Sequence, residues 1–130
     1  MVEAIFKHRL SAKHPHVSVS SAGIAAVVGK SADPFVQELL RLEGIDCSEH
    51  RARQLTSAML LESDLVLVME EDQRKEIAYT FPSVCGKVHL LGKWGGFEVP
   101  DPYKKPKEFF KETYQLVTAG IDQWQTRLWK

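Results

Sequence analysis

The sequence has no surplus of charge of either sign: 17 Lys and Arg balance 17 Asp and Glu over 130 residues. Proteins that track nucleic acid or an anionic membrane by bulk electrostatics carry a basic excess, so neither partner is expected. Cysteine is scarce as well. Cys47 and Cys85 are the only two, and nothing at the N-terminus reads as a secretory signal, so reduced thiols and a cytoplasmic setting are expected. No apolar run approaches the ~20 residues that cross a bilayer, and there is neither an internal repeat nor a low-complexity segment. One domain over residues 1–130 is expected, since a chain of this size buries about two thirds of its unfolded surface without staples.

What is present is well punctuated. Val2, Ile5, Phe6 and Leu10 fall at helical spacing within residues 1–13, so the chain opens inside a helix with no capping residue. "VSVSSAGI" (17–24) alternates and ends at glycine, which predicts a short strand and a loop. Asp33 at N-cap, Pro34, the stripe Val36, Leu39, Leu40 and then Gly44 predict a helix with both ends marked. Thr56 caps a short helix, and "DLVLVME" (64–70) reads as a strand buried on both faces. A helix ending near Pro82, a strand over Val88 to Leu91, and a long helix over 107–129 follow. The last carries Phe109, Phe110, Tyr114, Leu116, Val117, Ile121, Trp124 and Leu128 on its apolar face. Helices alternating with short buried strands predict a three-layer α/β fold, a parallel sheet flanked by helices.

The chemistry centres on "VPDPYKK" (99–105), where Asp101 stands between Pro100 and Pro102 with Tyr103 behind it. Proline fixes its own φ and biases the residue before it toward an extended backbone, so this carboxylate sits on a stiff loop suited to donating a proton. By itself the stretch reads more readily as a turn. A donor needs a nucleophile, and neither cysteine qualifies. Cys47 and Arg53 have the spacing Cys-x5-Arg, in which a thiolate and a guanidinium flank a bound phosphate. A phosphate cradle, however, needs successive inward N–H groups opening onto a helix, usually with glycine. Between these two residues lie Ser, Glu, His, Arg and Ala, and Glu49 would repel an anion. Cys85 lies in "VCGK", a turn before a strand, with Leu91 rather than Arg six residues on. His50 has no companion at metal-ligand spacing and reads as a structural histidine. Trp124 and Trp129 read as core and cap.

"SSAGI", "VGKSADP", "HRARQL", "DLVLVME", "KVHLLGKW" and "VPDPYKK" occur here in order across nearly the whole chain. In this the sequence resembles the low-molecular-weight protein tyrosine phosphatases, most of all the bacterial branch acting on tyrosine kinases of capsule and exopolysaccharide synthesis. The resemblance implies a phosphotyrosine hydrolase with no metal or other cofactor. Asp101 would be the general acid that protonates the leaving tyrosyl oxygen, and Tyr103 a wall of the phosphotyrosine cleft. Ser21 and His50 would brace the phosphate loop. The family begins with a strand and a Cys-x5-Arg-Ser-Pro loop followed by a helix reading like "MAEAIF", whereas this chain starts "MVEAIF". The expectation is a phosphatase-like domain without its first, central strand and without its nucleophile, and therefore inactive. Alternatives are a non-catalytic binding or oligomerising module and, with less support, an arsenate reductase, whose relay cysteines would lie closer together. With the central strand absent, either 17–21 pairs directly with 64–69 or a second copy fills the gap.

Overall fold

Charge placement favours a helix at the start of the chain: Glu3 lies in its first turn and Lys7, His8 and Arg9 in its last, each complementing the helix dipole. The computed structural model describes residues 1–10, 14, 16–24, 29–101 and 106–128, apart from the Lys107 side chain. It divides into two units, Met1–Leu55 and Thr56–Lys130.

In the first unit, α1 spans Val2–Leu10 and α2 spans Pro34–Leu42. Asp33 caps α2 as predicted, its carboxylate accepting from the Phe35 N–H at 2.8 Å. The far end closes as a Schellman turn. Gly44, at φ 77°, donates to the Arg41 carbonyl at 3.0 Å and Ile45 to that of Leu40 at 2.9 Å. Ile5, Phe6, Leu10, Val36, Leu40, Ile45 and Cys47 are buried. The strand predicted at 17–21 does not form. Residues 17–22 carry no regular structure, and the first pairing comes at Gly23, which bridges Gln54 in parallel. An alternating sequence makes a strand only when a ladder partner takes up its N–H and C=O groups, and no described segment pairs with these residues.

In the second unit, α3 (Ser57–Glu62) starts at Thr56, whose hydroxyl accepts from the Met59 N–H at 3.3 Å. The Lys87 ammonium closes the other end, donating to the carbonyls of Leu61 and Ser63. β1 (Val66–Val68) runs parallel to β2 (Val88–Leu90), joined by α4 (Glu71–Thr80) and a 3-10 turn over Pro82–Lys87, where the sequence had suggested a plain turn. The fold class is thus α/β, a helix-flanked parallel sheet. β1 is shorter than "DLVLVME" predicted, and only Val68 of its three residues is buried. Among the described residues it pairs with β2 alone, so neither the expected burial on both faces nor direct pairing with 17–21 is realised.

The final helix, α5 (Lys107–Leu128), follows its predicted apolar face, with Phe110, Val117, Ile121 and Trp124 buried; Leu128, at its end, is exposed. Trp124 donates its indole N–H to the carbonyls of Leu91 (2.9 Å) and Leu90 (3.2 Å), tying α5 to the end of β2. Gly120 permits this approach: a Cβ there would lie 2.8 Å from Leu91 Cγ and 3.0 Å from its carbonyl oxygen. Trp94 meets Trp124 edge-on at 5.4 Å, under Lys93 Nζ (4.7 Å) and Arg127 Cζ (4.3 Å).

Candidate active site

Ser21 and His50, both expected to brace a phosphate loop, are brought to one carboxylate. Glu3, in the first turn of α1, accepts a hydrogen bond from the Ser21 hydroxyl at 3.0 Å on one oxygen. Its other oxygen receives Lys7 at 3.3 Å and lies 3.4 Å from His50 Nδ1, an ion pair whenever the imidazole is protonated. The Glu3 side chain is only 16 % exposed. Burial works to raise its carboxyl, but the Ser21 hydrogen bond, Lys7 and His50 together hold it below the usual carboxylate value. Arg53 completes the cluster from the far side, donating through Nε (3.3 Å) and Nη2 (3.1 Å) to the Ser21 carbonyl.

Sequence reasoning missed Glu3, and met Arg53 only as half of the rejected Cys-x5-Arg pair. The i,i+4 pairing of Glu3 with Lys7 could be read from spacing. The contacts with Ser21 and His50, 18 and 47 positions away, left no local signal.

The same geometry disposes of the Cys-x5-Arg match. Arg53 is engaged with the Ser21 backbone, and Arg51 with the carbonyls of Ser48 and His50. Cys47 is 7 % exposed, and burial pushes its thiol up, away from the nucleophilic thiolate. Cys85 is free and exposed on the 3-10 turn before β2.

Asp101 lies in the other unit. The segment leading to it is attached to the end of β1 and the start of α4. The Val99 N–H donates to the Met69 carbonyl at 2.9 Å with Val99 itself buried, and the Glu98 carboxylate accepts from the Glu71 N–H at 2.6 Å. Pro100 and Asp101 then emerge exposed. Tyr103 and Trp129 lie outside the described residues. Among the described residues no three His, Cys, Asp or Glu side chains gather to hold a metal ion, and no helix is long and apolar enough to cross a membrane.

Comparison with known proteins places these features in context. The sequence model of the low molecular weight phosphotyrosine protein phosphatases matches residues 1–130. The chain is 41 % identical over 128 residues to the probable low molecular weight protein-tyrosine-phosphatase EpsP of Ralstonia nicotianae, covering 98 % of this chain and 86 % of the relative. Among solved structures, the Erwinia amylovora tyrosine phosphatase AmsI superposes with a TM-score of 0.91 at 35 % identity, covering 99 % of this chain and 83 % of that one. Vibrio vulnificus Wzb in complex with benzylphosphonate gives 0.89 at 36 % identity, with 98 % and 88 % covered.

Proposed function

The chain belongs to the low molecular weight phosphotyrosine protein phosphatase family, and from that premise we propose that its exposed, proline-flanked Asp101 is the proton donor of phosphotyrosine hydrolysis. In the complete reaction a cysteine thiolate attacks phosphorus while the Asp101 carboxylic acid gives its proton to the departing tyrosyl oxygen, leaving a phosphocysteine. Water then displaces the thiolate, releases phosphate and returns a proton to Asp101. Tyr103 is the proposed aromatic wall of the cleft. The substrates are phosphotyrosine proteins, a bacterial tyrosine kinase of capsule or exopolysaccharide synthesis being the favoured one, and the free thiols suit a cytoplasmic setting. Ser21 and His50, held on Glu3, are the proposed braces of the phosphate loop.

The 130 residues supply the acid but not the attacking group. Cys47 is buried with a raised thiol, and Arg53, its would-be partner, is spent on the Ser21 backbone. Glu3, held anionic in the first turn of α1, opposes any second anion there. These residues alone should therefore hydrolyse no aryl phosphate, whereas a version joined to a family strand and Cys-x5-Arg-Ser-Pro loop should. In that joined version Asp101→Asn should cut turnover of poor-leaving-group aryl phosphates by about 10²–10⁴, and far less for good leaving groups. Activity of the 130 residues that Cys47→Ser abolished would overturn the first statement. Equal losses on both substrate types would remove Asp101 from its role.

A second reading, self-association, is favoured by β1, a short apolar strand that pairs on one edge only among the described residues. A concentration-independent monomer by sedimentation would end it.

A further inference from the structure

We infer that Glu98 is a positioning residue for the proton donor: its carboxylate, on the Glu71 N–H, fixes the loop from which Asp101 emerges. The inference rests on the reading of Asp101 as general acid. Three consecutive backbone N–H groups lead from β1 into α4, and side chains take all three. Gln73 Oε1 accepts from Met69 (3.0 Å) and Glu70 (3.1 Å), and Glu98 Oε1 accepts from Glu71 (2.6 Å). Gln73 belongs to α4 itself and only shapes the helix start. Glu98 comes from 27 residues away and therefore joins two segments. Its neighbour Val99 donates to the Met69 carbonyl at 2.9 Å, so residues 98 and 99 grip residues 69 and 71 by two adjacent bonds. Two adjacent bonds set direction as well as position, where one alone would act as a pivot. Only Pro100 separates this grip from Asp101, and its φ is fixed by its ring. The chain therefore has little torsional slack between the anchor and the acid. The anchor also sits where a negative charge is favoured, at the N-terminus of the ten-residue helix α4.

Glu98 never meets the reacting atoms on this account, so its removal should act only through Asp101. In the 130-residue chain, Glu98→Ala should accelerate hydrogen exchange at the Glu71 amide, and Glu98→Gln, which keeps an acceptor oxygen, should largely restore protection. In the version joined to strand and loop, Glu98→Ala should lower turnover of poor-leaving-group aryl phosphates by about two- to five-fold, the scale of a carboxylate at an exposed helix start. Good leaving groups should be untouched, and Glu98→Gln should rescue most of the loss. A merely structural role predicts equal losses on both substrates, and that result overturns the inference. So does an unchanged Glu98→Ala in a protein where Asp101→Asn shows its leaving-group dependence. If Asp101→Asn shows none, the reading of Asp101 has failed and the inference falls with it.

Discussion

Residues 1–55 gather a polar cluster through charge, around Glu3, with Ser21, Lys7 and His50 on its oxygens and Arg53 behind Ser21. Residues 56–128 rely instead on a strand pair, a helix laid across its end and an indole bonded to the carbonyls of Leu90 and Leu91 at the end of β2. Asp101 follows a segment hung from that framework. The first arrangement depends on protonation and on contacts far apart in sequence, while the second depends on apolar packing of regular elements. Substitutions and acid should therefore affect the two regions differently.

The largest expected effect is in the packed region. Trp124→Ala removes a buried ring and both indole hydrogen bonds, and should cost about 3–5 kcal/mol, read as a fall in the denaturant midpoint. Ser21→Ala should cost less, about 1.5 kcal/mol, the low end for a hydrogen bond to a charged group, because Lys7 and His50 still serve Glu3. Were Ser21→Ala the costlier of the two, the contrast between regions would be reversed.

The smallest effects separate the regions by pH. Burial, with Lys93 and Arg74, holds the His89 imidazole below its ordinary value of about 6.5. The folded form therefore binds that proton less tightly than the unfolded chain does. Its contribution is complete above about pH 6.5 and is lost as pH falls through the lower folded value. Glu3 is also depressed, burial notwithstanding, so its contribution is complete above about pH 4.3 and is lost as pH falls further through its folded value. Acid should thus begin to loosen the β2–α5 contact below about pH 6.5 and the Glu3 cluster only below about pH 4.3. His89 lies 5.7 Å from the Trp124 ring, so the Trp124 indole NMR signal should be the first to begin shifting, and His89→Asn should remove that step. The Ile5 methyl signals should follow at lower pH, and Glu3→Gln should remove theirs. A common onset for both probes would mean that the two regions open together.

How much could be read in advance follows the same division. The α2 caps and the α5 face were legible because Asp33, Pro34 and Gly44 act within a few residues, and a buried helix repeats its pattern. The stretch around Asp101 stands out in the sequence for the same local reason, the two prolines beside it. The alternation of "VSVSS" misled, because a strand is a property of a pair and no described segment supplies the partner. Glu3 and Glu98 were invisible as organisers: each is one acid among 17 until the fold brings distant N–H and O–H groups to it.

The two free thiols differ in access, and that difference can serve as a clock. Cys85 is open to a maleimide in the folded chain, while Cys47, buried with its thiol held protonated, must wait for residues 1–55 to open. When closing outpaces labelling, the ratio of the Cys47 rate to that of a free thiol equals the fraction of time the charge-built half spends open. A single reagent, with Cys85→Ser as background, would then read the local opening equilibrium of that half without a denaturant.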